Sequence, residues 1–81
     1  TINLRYCGEI TDEAVMSLAE NCHGLTMIYL WGCGKITDKA IMYLAENCRG
    51  LTMIYLNGCG EITREGVAEV KKLLPKAEVY H

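Results

Sequence analysis

Residues 27–52 read MIYLWGCGKITDKAIMYLAENCRGLT, and this stretch is the clearest copy of a unit that occurs three times in the chain. Residues 1–26 match it at 17 of 26 positions, including both cysteines. The third copy begins at Met53, keeps the first half of the pattern and diverges after Thr63. A fixed period of this length is typical of stacked supersecondary units that bury their apolar faces against neighbouring units. Any function should therefore lie on the surface of the stack.

The composition predicts one small domain. The chain has 81 residues, of which 51% are hydrophobic and 22% are charged. We expect a single domain over residues 1–81, with repeats over 1–26, 27–52 and 53–81. The formal net charge of −2 provides no basic surface, so neither nucleic acid nor a membrane surface is expected as a partner. No apolar stretch approaches the roughly 20 residues of a membrane-spanning helix.

The five cysteines occupy two positions of the repeat. Cys7, Cys33 and Cys59 recur after the strand, and Cys22 and Cys48 recur after the helix. A free cysteine behaves as a small buried hydrophobe, which suits a ladder of equivalent interior positions. The odd number and the absence of CxxC or paired Cys/His spacing disfavour a disulfide framework and a zinc site. We therefore expect reduced, buried thiols, no metal, no cofactor, and a cytoplasmic or nuclear location if the protein is natural.

Each unit is predicted to fold as a strand, a turn and a helix. In the middle copy, Ile28 and Leu30 alternate with outward residues, which is the period of a strand with one buried face. Thr37 and Asp38 are predicted to supply a side-chain oxygen as an N-cap. The helix Lys39–Cys48 follows, and its predicted inward stripe consists of Ala40, Ile41, Leu44, Ala45 and Cys48. Gly50 is predicted to end this helix in the left-handed conformation.

Repetition of this unit predicts an α/β fold with parallel strands on a concave side and helices on a convex side. The pattern L-x-x-I-x-L-x-x-C-x-x-I-T-D-x-A-I-x-x-L-A-x-x-C over residues 25–48 resembles the cysteine-containing subclass of leucine-rich repeats. The resemblance covers the whole chain and implies a leucine-rich-repeat solenoid of about three repeats. It also implies that the strand-side cysteines occupy the asparagine-ladder site, where they help to satisfy backbone groups in the turn.

Repeats of this subclass are best known from F-box proteins, in which the arc recruits substrates to a ubiquitin ligase. The resemblance therefore implies that the chain recognises another protein. No F-box segment is found in these 81 residues, so the adaptor half of that activity does not carry over.

The third unit departs from the pattern because its helix carries more charged residues. Arg64 replaces the aspartate of the earlier copies, and Lys71 and Lys72 add charge to the last helix. Pro75 is predicted to end that helix, and residues 77–81 are predicted to form a short edge strand. We interpret this unit as a C-terminal cap.

The outward side chains of the strands form the first candidate contact surface. Aromatic and Met side chains lie side by side there, on a face that the repeat does not bury, and such clusters usually mark a contact surface. The set consists of Asn3, Arg5, Met27, Tyr29, Trp31, Met53, Tyr55 and Asn57. The same rings would also stabilise the sheet as cross-strand stacks, and the residues alone leave both interpretations open.

The edge of the first strand forms the second candidate. Ile2, Leu4 and Tyr6 belong to a strand that no polar unit precedes, so its backbone groups and its core layer are expected to be uncovered. A second copy would cover both, and two-fold symmetric pairing is the commonest arrangement. We expect a homodimer or higher oligomer, formed through this edge or through the concave face.

Catalytic residues are not predicted. His23 follows a helix and aligns with Arg49, where a cation is favoured by the helix dipole, and His81 is the last residue given. No serine or cysteine lies at motif spacing from a base. The glycines around Cys33 belong to a turn and form no nucleotide-binding loop. The chain is therefore expected not to be an enzyme.

Two functions remain after these exclusions. The close similarity of the copies is typical of an idealised, designed or excised repeat scaffold that folds and self-associates, although a recent internal duplication would also raise the identity. The alternative is a protein-recognition arc with an external partner.

Overall fold

The computed structural model describes residues 2–3 and 8–81, and of Ile2 it describes the backbone alone. Strands and helices alternate along this part of the chain. In order they are β1 (Ile2–Asn3), α1 (Asp12–Asn21), β2 (Met27–Tyr29), α2 (Asp38–Asn47), β3 (Met53–Tyr55), α3 (Arg64–Leu73) and β4 (Glu78–Tyr80). The predicted α/β class is confirmed.

The strands form one parallel sheet in the order β1-β2-β3-β4. Ile28 pairs with Ile2 on one side and with Ile54 on the other, so that residues at the same position of successive units are neighbours. Tyr55 pairs with Tyr80, which lies one residue short of the full period. The predicted C-terminal edge strand is therefore confirmed, and it extends the sheet beyond β3.

Burial alternates along the strands, as predicted. Ile28 and Leu30 are fully buried against the helices, whereas Met27 and Tyr29 are half-buried on the opposite face. The backbone ladder continues past the end of β2, because the N–H of Leu30 donates to the carbonyl oxygen of Tyr55 at 2.8 Å. One face of the sheet thus belongs to the core and the other remains available for contacts.

The apolar stripe of α2 is buried as predicted, and α2 packs against both α1 and α3. Its five members, all 0% exposed, are Ala40, Ile41, Leu44, Ala45 and Cys48. The helix begins at Asp38 and ends at Asn47, one residue earlier at each end than predicted. Cys48 follows as the C-cap, and its N–H donates to the carbonyl oxygen of Leu44 at 2.8 Å.

The predicted side-chain cap of α2 is wrong. Thr37 has the extended backbone of an N-cap, but its side chain accepts no hydrogen bond from the helix. Instead, its N–H and Oγ1 donate to the two carboxylate oxygens of Asp12, at 2.8 and 2.5 Å. Thr63 makes the same pair of bonds to Asp38, at 2.8 and 2.5 Å. The Thr-Asp pair therefore joins the starts of successive helices.

The turns after β2 and β3 require glycine, whereas the turn after α2 does not. The backbone φ is 70° at Gly32 and 79° at Gly58, a conformation that side chains with a Cβ disfavour. Gly50 is not among the described glycines with positive φ, so its predicted left-handed conformation is wrong. The C-cap of α2 is Cys48, with φ of −112°.

The last helix has a buried stripe and a charged outer side. Val67, Val70 and Leu74 are buried, in agreement with the sequence pattern. Lys71 and Lys72 are exposed, and α3 ends at Leu73, ahead of Pro75. The outer side of α3 is thus polar and exposed to solvent.

Candidate contact surfaces

A column of stacked tyrosines runs across the outer face of the sheet. The rings of Tyr29 and Tyr55 have centroids 4.5 Å apart and planes inclined by 9°, and those of Tyr55 and Tyr80 are 4.7 Å apart and inclined by 12°. The strand register produces this column, since Tyr29 pairs with Tyr55 and Tyr55 with Tyr80. Offset stacking of this kind adds about 0.5–1.5 kcal/mol per pair beyond the buried area.

The other predicted members of this surface lie around the column. Trp31 meets Tyr55 edge-on, with centroids 5.9 Å apart, and Met27 lies beside Met53 in the register. Asn57 is exposed. We call this surface the strand face, and it consists of Asn3, Met27, Tyr29, Trp31, Met53, Tyr55, Asn57 and Tyr80. Arg5, which was predicted to belong to it, lies outside the described residues.

Tyr80 was missed as a member of the strand face. It is the large hydrophobic residue that the structure shows as exposed, at 40%. The sequence contained an indication of this position, because Tyr80 lies within the edge strand predicted over residues 77–81. The period of the repeat does not predict the position of Tyr80. The spacing from Tyr55 to its partner Tyr80 is one residue shorter than the period, and only the strand pairing reveals this register.

Two phenol groups of the strand face, those of Tyr55 and Tyr80, have a pKa above the ordinary value. The Tyr80 hydroxyl donates to Oε2 of Glu78 at 2.9 Å, and this hydrogen bond raises the pKa of Tyr80 above its ordinary value. Burial raises the pKa of Tyr55, and the neighbouring Tyr29 adds to the effect. Tyr55 and Tyr80 therefore present neutral hydroxyls beside their stacked rings.

A second surface lies on the helical side, where α1 leaves part of its apolar stripe uncovered. Ile10, Leu18 and Cys22 are half-buried. Their counterparts one unit later, Ile36, Leu44 and Cys48, are 0% exposed because α2 lies between two other helices. We call the half-buried set, together with Thr11, the α1 face. The predicted edge residues Leu4 and Tyr6 lie outside the described residues, and Ile2 is described only through its backbone pairing in β1.

No disulfide joins the cysteines that the structure describes, and two of their thiols bond to the preceding unit. Cys33, Cys48 and Cys59 are buried, whereas Cys22 is half-buried, and Cys7 lies outside the described residues. The Cys48 thiol donates to the carbonyl oxygen of Cys22 at 3.3 Å, and the Cys59 thiol donates to that of Leu30 at 2.7 Å. The expected burial is therefore confirmed for three thiols and is wrong for Cys22, which belongs to the α1 face.

Thiol labelling of the native chain at low concentration should modify Cys22 before the other three described cysteines. Cys33, Cys48 and Cys59 should react only after unfolding, because they are buried and because burial raises the pKa of Cys48 and of Cys59, which lowers the reactive thiolate fraction. Mass spectrometry of digested protein after increasing labelling times measures the order. Equal rates for Cys22 and Cys48 in the native state would contradict the difference between the two helical stripes.

The polar groups that could perform chemistry are dispersed. His23 is exposed in the turn after α1, Arg49 is exposed in the turn after α2, and His81 is exposed after β4. Among the described residues, no three His, Cys, Asp or Glu side chains are placed to hold a metal ion.

These elements and surfaces define a small α/β protein with a parallel sheet, an aromatic strand face and an apolar α1 face. No protein-family model matches the sequence, and comparison with curated proteins finds no significantly similar chain. None of the described helices is long and apolar enough to cross a membrane.

Proposed function

We propose that this protein is a non-catalytic scaffold of the leucine-rich-repeat type that associates with a second copy of itself through the α1 face. The observation that carries the proposal is the contrast within one repeated stripe, in which Leu18 is half-buried while Leu44 is 0% exposed. The α1 stripe is exposed to water on one side. Association that covers this side is favourable by about 25 cal/mol per Å² of apolar surface removed from water.

The pairing of successive units supports the leucine-rich-repeat type of solenoid. Strands pair in parallel one period apart, and the thiols of Cys48 and Cys59 each reach a carbonyl oxygen of the preceding unit. The polar outer side of α3 supports the interpretation of the third unit as a C-terminal cap. The two ends of the described stack are therefore chemically different, and the α1 face is the apolar one.

Recognition of another protein is the second candidate, and the stacked tyrosines favour it. The three rings hold one another at 4.5 and 4.7 Å, so little side-chain entropy remains to be lost when a partner binds. Tyrosine, tryptophan and methionine are the side chains enriched at protein interfaces. This function agrees with the recognition role that the resemblance to F-box repeats implies.

We expect wild-type protein to form a dimer at high micromolar concentration, and Leu18→Lys to remain monomeric because it places a charge on the α1 face. The strand-face variant Tyr80→Ser should still dimerise. Light scattering at several concentrations measures the mass, and circular dichroism checks that both variants keep the wild-type fold.

A wild-type monomer at high micromolar concentration would refute self-association and leave recognition as the function. A Tyr80→Ser monomer combined with a Leu18→Lys dimer would assign the interface to the strand face and contradict the α1 assignment.

A further inference from the structure

A cavity of about 260 Å³ opens between α3 and the end of β4. Helix α3 contributes Arg64, Val67, Ala68 and Lys71 to its lining, and His81, the fifth lining residue, follows β4 directly. Val67 is buried, whereas the other four residues are exposed. The described lining thus combines an apolar patch with three basic side chains and contains no acidic one.

Two of these basic side chains have no acidic partner in the part of the chain that the structure describes. Neither Arg64 nor Lys71 lies within ion-pair distance of a carboxylate there, whereas the next residue, Lys72, pairs with Glu69 at 3.3 Å. Acidic residues outnumber basic ones in the chain, which has a formal net charge of −2. The positive charge is therefore local to the cavity, and a bound anion would complement it.

The position of Arg64 also favours an anion. Arg64 is the first residue of α3, and the corresponding residues of α1 and α2 are Asp12 and Asp38. The dipole at the start of a helix favours a negative charge and disfavours a cation. An anion bound beside Arg64 would offset this unfavourable interaction and would itself be stabilised by the dipole.

The edge of β4 that faces away from β3 has backbone groups that no described strand uses. β4 pairs with β3 on one side and is the last strand in the order of the sheet. The N–H of Glu78 donates to the carbonyl oxygen of Thr52, and the carbonyl oxygen of Tyr80 accepts from the N–H of Leu56. Because alternate residues of a strand direct their backbone groups to opposite edges, the N–H and carbonyl oxygen of Val79 point to the free edge.

The cavity and the free edge together fit one kind of occupant, an extended peptide that ends in a free carboxylate. β4 runs towards the cavity, because His81 follows β4 and lines the cavity. A peptide that added to the free edge parallel to β4 would extend the parallel sheet and would place its C-terminal carboxylate among the basic side chains. A peptide in the antiparallel direction would place its N-terminal ammonium group there instead. Charge complementarity therefore selects the parallel direction.

We propose that β4 and this cavity form a binding site for the free C-terminus of another protein. Val79 offers its backbone N–H and carbonyl oxygen to the peptide backbone, and Arg64 and Lys71 bind the terminal carboxylate. Val67 and Ala68 contact an apolar last side chain. The site is separate from the α1 face, so it does not depend on the proposed self-association.

The experiment titrates the full chain with short peptides at physiological ionic strength and follows its amide resonances by two-dimensional NMR. The first probe, the acid peptide, is an acetylated pentapeptide of alternating threonine and valine that ends in leucine with a free carboxylate. The second is the same peptide with a C-terminal amide, and the third is that amide with glutamate in place of the leucine. Inorganic phosphate and acetate are titrated separately as small anions.

Two double variants separate the cavity from general surface charge. Arg64→Gln with Lys71→Gln removes two charges that line the cavity, and Lys72→Gln with Lys76→Gln removes two charges that do not. All four side chains are exposed, so both variants should keep the wild-type circular dichroism spectrum.

The acid peptide should bind, and its amide should bind at least about tenfold more weakly, because hydrogen bonds to a charged group are lost. The cavity variant should weaken binding of the acid peptide about fivefold or more and leave binding of the amide unchanged. The control variant should change either affinity by less than about twofold, since salt screens exposed charges at a distance. The amide resonance of Val79 should shift on addition of the acid peptide, since its N–H gains an acceptor.

Equal affinities of the acid peptide and its amide would overturn the recognition of a terminal carboxylate, as would equally tight binding of the glutamate amide. Equal losses in the two double variants would attribute the attraction to general surface charge and refute the role of the cavity. Phosphate or acetate that binds at the cavity as tightly as the acid peptide would show a small-anion site instead. An unmoved Val79 resonance would refute the pairing with β4, and no binding at millimolar peptide would refute the site itself.

Discussion

Leu44→Ala should lower the free energy of unfolding by about 2–5 kcal/mol, which is the usual cost of emptying a well-packed core position. Leu44 is 0% exposed and lies at the centre of α2, which packs between two helices, so the surrounding structure has little freedom to close the cavity. A small domain is stabilised by only about 5–15 kcal/mol in total, and this loss therefore threatens folding. Urea denaturation followed by circular dichroism measures it.

The repeat supplies two matched controls for this prediction. Leu18→Ala removes the same side chain at the same position of the first unit, and it should cost less because Leu18 is half-buried. Glu46→Ala lies on the exposed side of α2 and should change the free energy of unfolding by no more than about 0.5 kcal/mol. If Glu46→Ala or Leu18→Ala proved more damaging than Leu44→Ala, the assignment of the buried stripe would be incorrect.

Asp12→Ala should lower the free energy of unfolding by about 1.5–3 kcal/mol, the range for hydrogen bonds to charged groups. The Asp12 carboxylate is half-buried and accepts both the N–H and the hydroxyl of Thr37. Its removal leaves two donors without an acceptor at the start of α2. Urea denaturation of the variant against wild type gives the difference.

Glu13→Ala is the control for this second prediction, because Glu13 is exposed and lies in the same first turn of α1. Both changes remove a negative charge that the helix dipole favours, an effect of about 0.3–1 kcal/mol. Only Asp12→Ala also breaks the junction between the helices. Equal losses for the two variants would show that the carboxylate acts through the dipole alone and that the hydrogen bonds to Thr37 contribute nothing measurable.

The two outer helices, α1 and α3, differ because of a few side chains. At the α3 end, Arg64 stands where the earlier units have aspartate, and Lys71 and Lys72 face water. At the α1 end, Leu18 remains half-buried. This asymmetry is the basis of the proposed self-association through the α1 face.

The local periods in the sequence determined the elements and their buried faces. Ile28 and Leu30 repeat with the period of a strand, and Leu44 and Cys48 with that of a helix, so each face could be assigned from the chain alone. The recurrence of the unit also predicted parallel strands and the members of the strand face from Met27 to Asn57, and the residues after Pro75 predicted the C-terminal edge strand.

Only the tertiary structure decided which groups from different units meet. The Thr-Asp pattern predicted a local cap, but the carboxylate of Asp12 is bound by Thr37, far away in sequence and adjacent only after the helices pack. Tyr80 joins the tyrosine column through the pairing of β4, which the shortened third unit conceals. Local propensity specifies backbone and burial within one unit, whereas hydrogen-bond partners and ring stacks depend on the distance between units, and that distance exists only in the folded chain.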